Sequence, residues 1–156
     1  METISIGVTV VQYAGVMDEQ NTYNFIKDTL KGLGYNVTEN SYIHFGGTNY
    51  AINWTAKKLL DDYMAYRITL KLDYRGLAES TAIQGGKQVK IRTGELKVTI
   101  VADMLLDHLD KWTSGVSKFI RPVYDKMNQD VISQRKTAFE NEVGDLKNTL
   151  QSHFGQ

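Results

Sequence analysis

The sequence predicts an α+β protein: a mostly antiparallel sheet, one helix after the first strand, and a long amphipathic C-terminal helix packed on one face. Three observations lead there. Met64, Tyr66, Ile68, Leu70, Leu72 and Tyr74 alternate with residues of the opposite face, the period-2 signature of a half-buried strand. Gly46-Gly47, Asp61-Asp62 and Gly85-Gly86 punctuate the first two-thirds of the chain at hairpin spacing. After Trp112 the apolar period lengthens from about 2 to about 3.6, the helical repeat. With 156 residues, a single domain is expected, with the sheet and first helix in residues 1–112 and a C-terminal helical region in 113–156.

Taken in order, Ile4, Ile6, Val8 and Val10 share one face of a strand over 3–13 that Gly15 is expected to end. Asp18 is the candidate cap of a helix with Tyr23, Ile26, Leu30 and Leu33 on one side, and Gly34 is its stop. Tyr35, Val37, Tyr42, Ile43 and Phe45 mark a twisted or bulged strand. Ile52, Trp54 and Ala56 begin the next, and Asp61-Asp62 turns it into the 64–74 strand. A further strand, the Gly85-Gly86 turn and a short return strand follow. Gly94 then reads as a turn into a last strand with Leu96, Val98, Ile100 and Ala102 toward the core.

Beyond it, Val116, Phe119, Ile120, Val123, Tyr124 and Met127 form one apolar stripe, and Ile132, Phe139, Val143, Leu146 and Leu150 form another. Pro122, the only proline, is expected in the first turn of the long helix, with a shorter helix ending before it. The apolar face of the sheet is the nearest partner for the long helix.

Composition excludes several function classes. The chain has no cysteine, so disulfides, thiolate metal sites and a cysteine nucleophile are ruled out. Eighteen Lys and Arg balance eighteen Asp and Glu, so no overall field steers the chain to nucleic acid or anionic lipid. No apolar run is long enough to span a bilayer. The opening METISIGVTVVQY lacks a basic leader segment, which gives a cytoplasmic location as the expectation. No phosphate-binding glycine loop, nucleophile elbow or zinc-ligand spacing occurs, and neither a cofactor nor catalysis is expected.

The stretches INWTAKKLLDDYMAYRITLKL, GELKVTIVADMLLDHLDKW and FIRPVYDKMNQDVISQRKTAFENEV resemble a group of uncharacterised small proteins from archaea. Trp54, Lys58, Asp62, Tyr63, Gly94, Asp107 and Trp112 stand at the matching places, and Asp107-His108 replaces the group's usual Asp-Tyr pair. The resemblance implies strand, helix, meander and long terminal helix, and no activity. By element order the chain also resembles the helix-grip or START-like proteins, which implies a curved sheet wrapped around a helix and an apolar cavity.

Four candidate sites result. A cavity for a small apolar molecule would be lined by Trp54, Tyr66, Ile68, Leu70, Phe119 and Phe139. A homodimer or protein interface would use Ile132, Phe139, Val143, Leu146 and Leu150. Asp103, Asp107 and His108 are the only metal candidates. On an extended strand the two aspartates lie about 13 Å apart, too far for one ion, and Asp107 or Asp110 is better read as the cap of the next turn while Trp112 docks on the core. Arg67, Lys71, Arg75, Lys87, Lys90, Arg92 and Lys97 form a basic stripe interrupted by Asp73, Glu79 and Glu95, which argues against nucleic acid. A non-enzymatic interaction or assembly role is the leading expectation, with a helix-grip ligand carrier second and a nucleic-acid role or metal-dependent hydrolysis at Asp103, Asp107 and His108 third.

Overall fold

The computed structural model describes residues 1–113 and 115–155. The elements are β1 (Glu2–Met17), α1 (Glu19–Gly32), β2 (Asn36–Gly46), β3 (Asn49–Leu59), β4 (Met64–Gln84), β5 (Lys87–Leu106), α2 (Gly115–Met127) and α3 (Gln129–His153). The five strands make one antiparallel sheet in the order β1-β5-β4-β3-β2. β2 to β5 are a meander, and α1 carries the chain from one edge strand to the other. This is the α+β class the sequence predicts, with its helix after the first strand and long C-terminal helix. By contact the chain divides into two compact units, residues 1–8, 57–68 and 101–156, and residues 9–56 and 69–100.

In the second unit, Asp18 caps α1 by accepting from the Asn21 amide at 3.1 Å. The helix closes on a pair of crossed bonds, Tyr35 N to Leu30 O at 3.1 Å and Gly34 N to Lys31 O at 3.0 Å, the Schellman arrangement that satisfies its last carbonyls. Ile26 and Leu30 are fully buried, and the Tyr23 ring meets Trp54 edge-on at 4.8 Å.

Two expectations about this sheet are corrected. Gly94 is no turn: β5 is continuous through it, and a Cβ there would stand 2.9 Å from Leu77 Cδ2 and 3.1 Å from the Arg75 carbonyl. Beside it Gly76 takes a φ of 62°, and the inward phase of β4 slips by one residue between Tyr74 and Leu77, as a bulge requires. The glycines bend two long strands rather than end four short ones. β1 likewise passes through Gly15 to Met17. Ile4 and Ile6 face inward, but Val8 and Val10 are exposed and Val11 is buried, so the inward phase shifts at Gly7.

In the first unit, α3 covers the start of β4. The Tyr66 and Phe139 rings stack at 4.2 Å and 3°, the Tyr66 hydroxyl donates to the Arg135 carbonyl at 2.6 Å, and Lys58 pairs with Glu142 at 2.8 Å. Pro122 sits inside α2 and not at the head of the long helix. It is tolerated because Pro122 and Lys118 are both exposed, so the carbonyl deprived of its partner lies where water reaches it. Asn128 stands between the two helices; its amide and its side chain both donate to the Tyr124 carbonyl, at 3.0 and 2.8 Å.

Gly94→Ala is expected to cost about 1–3 kcal/mol through overpacking against β4. Gly144→Ala, in an exposed stretch of α3 with nothing within 4 Å, is expected to stabilise by about 1 kcal/mol. Urea unfolding of both variants checks this, and a neutral Gly94→Ala would remove the close approach as the reason for that glycine.

Candidate interaction site

The site begins at the β3–β4 turn. Asp61 Oδ1 accepts from the amides of Tyr63 at 2.8 Å and Met64 at 2.7 Å, and its Oδ2 accepts from Arg135 Nη1 at 2.6 Å. Burial alone would raise the Asp61 carboxyl, but the bonds from Arg135, Met64 and Tyr63 hold it below the usual value. The Asp61 carbonyl accepts from His108 Nε2 at 2.7 Å, which places the imidazole proton on that nitrogen. These bonds set the Tyr63 ring inward, only 5% exposed.

A buried phenol needs partners for its hydroxyl. Tyr63 donates to Asp125 and accepts from Arg121 Nε at 3.1 Å. Arg121 also reaches Glu2 at 2.7 Å and lies 3.6 Å from Asp125. The Tyr63 ring meets Tyr124 at 4.9 Å and Trp112 at 6.0 Å, both edge-on, and Trp112 and Tyr124 lie 5.0 Å apart. Burial pushes the Tyr63 phenol up to about 12; the hydrogen bond and charge of Asp125 push the same way and Arg121 opposes them.

Arg121, Tyr124 and Asp125 are therefore the inner face of α2, and that face is polar and aromatic. The apolar stripe stands roughly a third of the way round the helix. Phe119 and Met127 are 80% and 82% exposed, Val116 is 74% exposed, and Ile120 and Val123 are also open. No described residue of α2 is fully buried. The usual arrangement of an amphipathic helix, oily side in, is reversed.

The other candidate residues lie as follows. Phe119 is at the surface, whereas the other residues of the cavity set are buried. Tyr66 and Phe139 cover one another's faces. Phe139, Val143, Leu146 and Leu150 are core residues and present no free interface, while Ile132 is half-buried. Asp103 pairs with Arg67 at 3.0 Å, Asp107 is 1% exposed and accepts from the amides of Lys111 at 2.9 Å and Trp112 at 3.1 Å, and His108 is tied to Asp61. Asp107 is thus the cap its residue type predicts. Each of the three is turned to a different partner, and no group of three metal-ligating side chains forms among the described residues.

In the second unit the Tyr50 ring lies between Tyr42 at 5.3 Å and Tyr74 at 4.7 Å. Its hydroxyl donates to Glu19, which pairs with Arg92 at 2.9 Å. Burial raises the phenols of Tyr50 and Tyr74. The basic stripe is broken up: Arg75 bonds Asp73 and stacks over Phe45, and Arg92 is taken by Glu19. A surface groove of about 440 Å³ lined by Tyr13, Asp73, Arg75, Glu95 and Lys97 carries both signs of charge.

No protein-family model matches the chain, and no curated protein matches its sequence.

Tyr63 keeps its proton above the ordinary tyrosine value of about 10. Its contribution to stability is therefore complete below pH about 10 and is lost as pH rises toward about 12. Unfolding followed by tryptophan fluorescence should show that loss in the native chain and less of it in Tyr63→Phe. The variant should also be about 1–2 kcal/mol less stable at neutral pH, since Asp125 and Arg121 lose a partner. Parallel pH profiles would reject the assignment.

Proposed function

We propose that this chain is a non-enzymatic interaction module whose contact surface is the outward face of α2. The observation that supports this reading is the reversed helix. α2 is held by Arg121, Tyr124 and Asp125, while Val116, Phe119, Ile120, Val123 and Met127 are presented to solvent. Contiguous exposed apolar surface on a folded chain marks contact sites. Three of the carboxylates elsewhere in that unit are committed to structural bonds: Asp61 to a turn, Asp107 to a cap, Asp103 to Arg67.

Because the chain has no cysteine, Phe119→Cys gives a single attachment point for a polarity-sensitive fluorophore. Ile83→Cys, exposed in the β4–β5 hairpin, is the control. A blue shift at position 119 and none at 83 is expected on raising protein concentration, adding soluble cell extract, or adding cell membranes. No shift in any of the three would reject the contact surface.

One observation favours a second reading, a carrier of a small apolar molecule. Trp54 Nε1 is buried without an acceptor, and a bound molecule bringing an oxygen to that point would satisfy it. Native mass spectrometry of the purified chain tests this; a spectrum of bare protein only would end it.

A further inference from the structure

We infer that β1 pairs edge to edge with β1 of a second copy of this chain, across a two-fold axis. The contact is independent of α2. β1 is an outer strand of the sheet, so every second residue turns its N–H and C=O away from β5. Natural edge strands are guarded by charged side chains or proline. Between Glu2 and Asp18 this chain has neither. In the second unit, residues 9–14 read TVVQYA: β-branched and aromatic, uncharged, without glycine or proline, the composition of strands that pair with their own kind. The far limit of that stretch is Gly15, at a φ of 147°, where the Tyr13 hydroxyl donates to the Val16 carbonyl at 2.9 Å.

Charge and strand direction select a second copy as the occupant. A two-fold contact brings each surface onto its own image, which costs repulsion wherever that surface is charged. Residues 9–14 carry no charge. Two-fold symmetry also sets β1 antiparallel to its image, the mode of pairing within the sheet itself. Val10, 40% exposed, and Ala14 lie on the open face, while Val11 is buried on the other. The faces match with Val10 of one copy opposite Ala14 of the other, apolar against apolar on both sides of the axis. The other edge is guarded. β2 carries Glu39, its Asn40 and Ser41 bond Thr55 and Asn53 of β3, and Phe45 lies beneath Arg75. Copies stacked head to tail would set β1 beside β2, which runs in the same direction, giving a parallel pair and an open polymer. The two-fold contact closes instead, and joins two five-stranded sheets into one.

The test is analytical ultracentrifugation of the full chain over a concentration series, where a monomer–dimer equilibrium is expected. Val10→Lys with Ala14→Lys sets like charges opposite one another in that register and should weaken the dimer about tenfold. Circular dichroism should be unchanged in the double variant, since both side chains are exposed. Hydrogen exchange reads the same contact without substitution: amides of residues 9–14 should slow as concentration rises, and those of α2 should not. A chain that stays monomeric, a dimer as tight in the double variant as in the native chain, or an open series of larger species overturns the inference. Slowing at residues 9–14 that needs added soluble extract identifies a foreign strand and overturns the second copy. Slowing confined to α2 also overturns it, and leaves the helix as the contact surface. Slowing at residues 9–14 with a silent fluorophore at position 119 supports the β1 contact and removes the one on α2.

Discussion

The Tyr63 hydroxyl constrains the rest of its unit. The ring is buried against Trp112 and Tyr124, and a phenol in that position costs free energy unless its oxygen is bonded. The groups that reach it, Arg121 and Asp125, stand four residues apart on α2. Once those two face inward, a rotation of about 100° per residue decides where every other side chain of the helix goes. Val116, Phe119, Val123 and Met127 then point away from the fold. Tyr63 is itself set by Asp61, whose carboxylate fixes the turn before it. One capped turn, one hydroxyl and one ion pair thus determine which side of a thirteen-residue helix meets solvent.

The arrangement is reasonable only because the apolar surface of that unit is already covered. Burying a Phe, Val or Met side chain stabilises by about 1.5–3 kcal/mol, more than a typical net hydrogen bond of about 1 kcal/mol. A helix offered free apolar surface would turn its oily side in. Phe139, Val143, Leu146 and Leu150 of α3 are already buried in the unit, and Tyr66 is stacked on Phe139. What remains for α2 is the Tyr63–Trp112 rim, where an ionic face makes the better contact. Both helices are amphipathic; the one with the longer stripe holds the core.

How much of this was legible in the sequence follows from the same physics. Strand alternation from Met64 to Tyr74, the Asp18 cap and the Asp107 cap are local properties, and local patterns specify them. Gly94 was ambiguous because glycine serves a turn and a close strand approach equally well; only the Leu77 side chain across the sheet tells the two apart. The stripe of α2 was visible residue by residue, but periodicity says that a helix has an apolar side without saying which way it faces. Tyr63 was hardest. In the alternation of β4 it falls on the polar face, yet it precedes the strand, in the turn that Asp61 caps, and that turn sends it inward. The Arg121 and Asp125 pair, four residues apart beside Tyr124, was the available signal of a second, polar face on the same helix.

The polar docking of α2 also bears on how its stripe is used. A helix anchored by an oily face is held in proportion to the area it buries, and exposing that face for a partner means undocking it. α2 needs no such step: its anchor and its stripe are different sides, so the fold can hold the helix while the stripe is occupied. The anchor is nonetheless a small set of polar bonds and ring contacts, with no described α2 side chain fully buried. Weakening it at Tyr63, Arg121 or Asp125 leaves the helix free to turn and bury its stripe wherever apolar surface offers. Orientation of the stripe, and not its existence, is what the Tyr63 bonds supply, and a contact surface built this way is as specific as those bonds are intact.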